Sequence, residues 1–80
     1  MELREFTEYL VKSIVSNPDK VRVSEFKFEE GLVLEVLVSD ADRSSVIGKG
    51  GKMANSIRIL VQAKAYIMKL GKVKINIDSI

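Results

Sequence analysis

The chain has 80 residues, 46% of them apolar and 30% charged, with a net charge of +2. That length is enough for one domain, residues 1–80, and for a core of modest stability. With no cysteine there is no disulfide or thiolate metal site, and with no histidine the commonest catalytic base and metal ligand is missing. Met1-Glu2-Leu3-Arg4-Glu5 lacks the basic start and apolar core of a signal peptide. No apolar run approaches the ~20 residues that span a bilayer, so a soluble, cytoplasmic protein with no membrane partner is expected.

Residues 2–16 predict an amphipathic helix, with Leu3, Phe6, Leu10 and Ile14 at three- and four-residue steps. Asn17-Pro18 ends it, because proline has no N–H and restricts the residue before it. Residues 20–29 read as a strand whose alternation breaks: Val21 and Val23 are in phase, Phe26 and Phe28 one step out. A one-residue slip flips every side chain to the other face, so a bulge is expected near Ser24-Glu25. Glu30-Gly31 then makes a tight turn, with Gly31 supplying a positive φ.

From Leu32 to Ser39 only Glu35 and Ser39 are polar, which fits a central strand covered by helices. Asp40 or Asp42 is expected to cap a short helix over residues 42–47. Gly48-Lys49-Gly50-Gly51 breaks the chain, and a helix from about Lys52 to Lys69 follows, ended by Gly71 at the C′ position. The last strand, residues 73–78, puts Val73, Ile75 and Ile77 on one face and Lys74, Asn76 and Asp78 on the other. The predicted order is α-β-β-α-α-β. The first two strands form an antiparallel hairpin, and the second and third are parallel through a helical crossover. This is an α+β domain with three helices on one face of a three-stranded mixed sheet.

The charge is polarised. Residues 1–40 carry five basic and nine acidic groups, whereas residues 41–80 carry eight basic groups against Asp42 and Asp78. Such a chain points its C-terminal half at a polyanion, or is merely well solvated. The stretch Val46-Ile47-Gly48-Lys49-Gly50-Gly51-Lys52 gives the charge a site. Glycines let a ligand's backbone approach closely, the following helix offers unpaired amides, and Lys49 and Lys52 add full charges. A P-loop would need glycine in the place of Val46, and a dinucleotide fingerprint would need one in the place of Met53.

Val46-Ile47-Gly48-Lys49-Gly50-Gly51 resembles the V-I-G-x-x-G signature of KH domains, whose GxxG loop clamps about four nucleotides of single-stranded nucleic acid. The element order resembles that of type II KH domains over the whole chain, and more closely the short bacterial single-KH family called KhpA or YlqC. The resemblance implies that Gly48, Lys49, Gly50 and Gly51 hold phosphates. It further implies that Ile47 and Ala54 line an apolar floor, that Arg43 and Lys52 flank it, and that Arg58 sits near the cleft or its rim. No aromatic residue lies near the loop, which argues for low sequence selectivity.

The long helix has a predicted core arc of Met53, Ala54, Ile57, Leu60, Val61, Ile67 and Met68, with Lys64 inside it and snorkelling outward. Ile59, Tyr66 and Leu70 fall together on the other side, either under the N-terminal helix or at a subunit interface. Phe26, Phe28, Val33 and Leu37 raise the same question for the uncovered sheet face. Glu25, Glu29, Glu30 and Glu35 cluster at the hairpin without metal-ligand spacing. The expected function is single-stranded RNA binding, as an RNA chaperone or regulatory adaptor, without catalysis, metal or cofactor. The family resemblance implies a homodimer or a heterodimer with a larger Jag-type KH protein. The alternative is a protein-interaction module on the same fold with little RNA affinity.

Overall fold

The structure, a computed structural model, describes residues 2–79. Its elements are α1 (Leu3–Lys12), β1 (Arg22–Phe28), β2 (Gly31–Val38), α2 (Arg43–Ile47), α3 (Lys52–Ile67) and β3 (Lys72–Ser79). The sheet order is β1-β2-β3, antiparallel between β1 and β2 and parallel between β2 and β3, as the pattern predicts. The helices cover one face. Val23, Leu32, Leu34, Val36, Val38, Val73 and Ile75 point to that side and are buried with Leu3, Val11, Val46, Ile57 and Val61. Each fully buried side chain of this size is worth about 1.5–3 kcal/mol, so this layer is the main source of stability.

The predicted bulge in β1 does not form. Every residue from Arg22 to Phe28 opposes one partner, from Leu37 to Gly31. The break in apolar phase has another cause: Val23 faces the helices while Phe26 and Phe28 face the open side of the sheet. Glu25 and Lys27 share Val23's side, where the strand runs on beyond helix cover and both are exposed.

Gly31 is required for a reason other than positive φ. A Cβ there would lie 1.8 Å from the carbonyl oxygen of Lys72, so only glycine lets β2 start beside β3. The C′ position of α3 belongs to Lys69, not Gly71. Lys69 has φ 59°, its N–H donates to the Tyr66 carbonyl at 3.1 Å, and Leu70 N–H donates to the Ala65 carbonyl at 3.1 Å. This is the paired pattern of a Schellman motif.

α1 ends at Lys12, short of the predicted boundary, with the Ser13 hydroxyl donating to the Tyr9 carbonyl at 2.7 Å. Beyond it the chain is taken up by Asp42, whose carboxylate accepts from Ser16 N–H and Asn17 N–H, both at 2.9 Å. Thr7, buried between Leu3 and Val11 along the helix, donates its hydroxyl to the Leu3 carbonyl at 2.8 Å. In α3 the buried arc is narrower than predicted: Ala54, Ile57, Val61 and Ala65 are buried and Lys64 half-buried, but Met53, Leu60 and Ile67 are exposed.

Candidate nucleic-acid interface

The glycine break sits between α2 and α3, as expected. Val46, fully buried, anchors α2, and the Gly48 N–H closes it by donating to the Ser44 carbonyl at 2.8 Å. Gly48 adopts φ 77°, ψ 174°, and a Cβ there would lie 2.7 Å from Met53 Cβ and 2.8 Å from Met53 N. The chain then makes a tight turn over Lys49–Gly51, with Gly50 at φ 64° and Gly51 at φ 78°. A Cβ at either of these two would meet nothing within 4 Å, so the loop's crown is open to solvent. Lys49 and Lys52 are exposed on its two sides. No side chain caps α3, so the positive end of its dipole is left for a ligand.

Beside the loop, Asp40, Arg43, Ser44, Ile47 and Gly48 line a shallow cleft of about 360 Å³. The C-terminal end of β3 reaches this cleft. Arg43 Nε lies 3.9 Å from Asp78 Oδ1, and the Ser79 hydroxyl donates to Asp40 at 3.3 Å. The Arg43–Asp78 pair is long and half-exposed, a geometry that contributes little and leaves the guanidinium free to turn to a phosphate.

Of the residues singled out from the sequence, Arg43 and Ile47 lie on α2, Gly48, Lys49, Gly50 and Gly51 form the loop and Lys52 opens α3, with Arg43, Ile47 and Gly48 lining the cleft. Ala54, expected on the apolar floor, is only 3% exposed and presents almost no surface to a ligand. Arg58 lies about 9 Å along α3 from Lys52. Its Nε donates to the Ile75 carbonyl at 3.2 Å and its Nη1 to Asn55 Oδ1 at 3.3 Å, so it ties α3 to the free edge of β3. Sequence reasoning missed Asp40, Ser44 and Asp78, because nothing local to them reveals that the end of β3 meets the start of α2.

Asp42 fixes how α2 enters this site. Its side chain caps neither α2 nor the turn before it, and the same holds for Asp40. Instead its carboxylate, 3% exposed, accepts from Ser16 N–H, Asn17 N–H, the Ser39 hydroxyl at 3.0 Å and Asn17 Nδ2 at 3.2 Å. The Ser16 hydrogen bond first, and the others with it, hold this carboxyl below the usual aspartate range despite the opposing effect of burial.

The predicted outer row on α3 divides. Ile59 and Tyr66 stand 65% and 84% exposed, so α1 does not cover them, whereas Leu70 packs against the core. Leu60, Ile67 and Met53 join the exposed pair. Placed at 100° per residue, they make α3 apolar around most of its circumference.

The KhpA/KhpB KH-domain family model matches residues 4–78. The chain belongs to this family. RNA-binding protein KhpA of Clostridium perfringens is 43% identical over 63 residues, covering 79% of this chain and 84% of that protein. KhpA of Streptomyces coelicolor is 46% identical over 61 residues, covering 76% and 77%. KhpA of Aquifex aeolicus, 39% identical over 70 residues, covers 88% and 86%. A solved structure of Era, in complex with MgGDPNP and nucleotides 1506–1542 of 16S ribosomal RNA, superposes with a TM-score of 0.64 at 17% identity. That match covers all of this chain and 32% of the Era chain, and it bears on the fold of this KhpA/KhpB-family chain alone. Among the described residues no helix is long and apolar enough to cross a membrane, and no acidic cluster could hold a metal ion.

Proposed function

We propose that this chain binds single-stranded RNA, with the Gly48–Gly51 loop on the phosphates and the cleft lined by Arg43, Ser44 and Ile47 under the bases. The observation that carries this is the loop itself. Three glycines at positive φ build a crown with no side chain between a ligand and the backbone, directly ahead of an uncapped helix and between two exposed lysines. The family's relatives bear the name RNA-binding protein KhpA, which agrees. The cleft lining contains no aromatic ring for base stacking, so affinity rests on phosphates and sequence selectivity is low. A small, unselective, non-catalytic binder of this kind acts as an RNA chaperone or as a regulatory adaptor in the cytoplasm.

The test is Lys49→Asp with Gly50→Asp. Position 50 has open space around it, and aspartate tolerates a left-handed conformation, so the fold should survive. The double variant changes the loop by three charge units. At a few ångströms and an intermediate dielectric each unit is worth on the order of 1 kcal/mol, giving a loss of about 3 kcal/mol, or over a hundredfold. Wild type should bind single strands better than duplex, and its affinity should fall with salt at a slope of only a few released ions. Unchanged binding by a folded double variant would remove the loop from the RNA site.

A second reading concerns assembly, and the exposed arc of Ile59, Leu60, Tyr66 and Ile67 favours it. This face of α3 serves to join a second copy of the chain, or a larger Jag-type KH protein. If the loop variant leaves RNA binding unchanged, protein interaction becomes the main role of the domain.

A further inference from the structure

The open side of the sheet carries an arrangement that the loop does not account for. Two of the chain's three phenylalanines, Phe26 and Phe28, stand there 54% and 42% exposed. Neither is needed by the core, which aliphatic side chains fill on the other side of the sheet. The register sets each ring in a row across the three strands. Phe26 opposes Val33 and Val33 opposes Lys74; Phe28 opposes Gly31 and Gly31 opposes Lys72. Each row therefore runs from an aromatic ring over a low floor to a lysine. The rows are about 6.8 Å apart along the strands, and each lysine is rooted about 9.5 Å from its ring. Together they border a shallow groove of about 450 Å³.

We propose that this face is a second contact for single-stranded nucleic acid, in which Phe26 and Phe28 stack neighbouring bases and Lys72 and Lys74 meet the phosphates. The proposal rests on the RNA-binding reading for the identity of the ligand, but not on the loop. Two rings at this spacing suit bases drawn apart beyond their stacked rise of about 3.4 Å. Each ring has a cation at the far end of its own row, where the backbone of a stacked nucleotide would lie. An apolar protein partner would instead bury both ammonium groups. Glu30 lies 3.8 Å from Lys72, but both side chains are largely exposed, and such a pair yields readily to a phosphate. Glu35 stands in the next row, between Ser24 and Asn76, and confines the platform to the end of the sheet marked by Gly31.

This end is remote from the loop. Arg43 approaches Asp78, six residues along β3 from Lys72, a separation of about 20 Å. One RNA strand reaches both contacts only if it is long enough to span that distance. The platform therefore contributes to long oligonucleotides and not to short ones, through effective concentration.

The chain has no tryptophan, so Phe28→Trp places a single reporter on the platform. Its fluorescence should be quenched by an unstructured oligoadenosine of about 12 nucleotides, within the span that such surfaces occupy. Phe26→Ala with Phe28→Ala should weaken binding of that oligonucleotide about tenfold, and binding of one of about five nucleotides less than twofold. Lys72→Gln with Lys74→Gln should reduce the salt slope for the long oligonucleotide only. Quenching that persists in the Lys49→Asp, Gly50→Asp background supports the platform even if the loop reading fails. An unquenched tryptophan together with tight binding by the alanine variant overturns the proposal. So does an alanine variant that alters only the sedimentation of the protein, which would make this face a protein interface.

Discussion

Gly48→Ala and Gly50→Ala are the same chemical change two residues apart, and the loop geometry separates them. At Gly48 the backbone, φ 77° and ψ 174°, lies in a region nearly closed to other residues, which costs about 1–3 kcal/mol. The new methyl would also sit 2.8 Å from Met53 N, a backbone atom that cannot swing aside in the first turn of α3. Overpacking of this kind adds about 1–3 kcal/mol, for a total of about 2–6 kcal/mol. At Gly50 the conformation is left-handed and the space empty, so only a conformational cost of about 1 kcal/mol applies. In a domain of this size 1 kcal/mol moves the Tm by about 4–8 °C. Thermal denaturation followed by circular dichroism should therefore show a loss above about 8 °C for Gly48→Ala and about 4–8 °C for Gly50→Ala. Fluorescence anisotropy with a short oligonucleotide should show binding largely kept by Gly50→Ala and largely lost by Gly48→Ala, even at temperatures where both are folded. Equal Tm values for the two variants would refute the steric reasoning, and full binding by Gly48→Ala would refute the link from loop shape to RNA.

Asp42→Asn puts an amide group where four donors converge, and should lower the Tm at neutral pH. Because the folded carboxyl titrates below its usual range, the stability it contributes is complete above about pH 4 and is lost as the pH falls further, so the gap between wild type and variant should close in acid; a gap independent of pH down to acid unfolding would count against the charge. Lys69→Gly should raise the Tm by a few degrees, because a non-glycine residue in the left-handed region costs about 1 kcal/mol. A lower Tm would contradict the assignment of Lys69 to C′. Ile59→Glu with Tyr66→Glu should give a folded monomer by sedimentation if the outer face of α3 joins subunits, and unchanged self-association would exclude that face.

What was legible in the sequence was written in short-range signals. Val73, Ile75 and Ile77 alternate, Asn17-Pro18 interrupts a helix, and consecutive glycines interrupt a run of helix formers, so the elements, their order and the loop could be read directly. What was missed depends on partners distant in the chain. The phase change in β1 suggests a bulge until the unbroken register with β2 sets Val23 on the helix side and Phe26 and Phe28 on the open side with no extra residue. Beyond the early end of α1, the backbone of Ser16 and Asn17 is held by Asp42, in the other half of the chain. Glycine is the commonest C′ residue, and Gly71 drew that role until the hydrogen bonds of Lys69 and Leu70 assigned it elsewhere. Ala54 has the composition of a cleft floor, but only packing reveals that it is sealed.

The contact between Gly31 and the Lys72 carbonyl also bears on how the sheet finds its alignment. β2 and β3 come from opposite halves of the chain, and such pairings form slowly because much chain must be closed first. A slip of one residue would carry Lys72 and Lys74 toward the apolar layer and lift Val73 and Ile75 out of it. It would also move the one bare stretch of β2 away from the Lys72 carbonyl, and a side chain would then occupy that gap. Sterics at one end of the ladder and burial along its length thus reject the same wrong alignments. The missing side chain acts as a key that fits one register, and it does so before a ligand or a second subunit has any part in the structure.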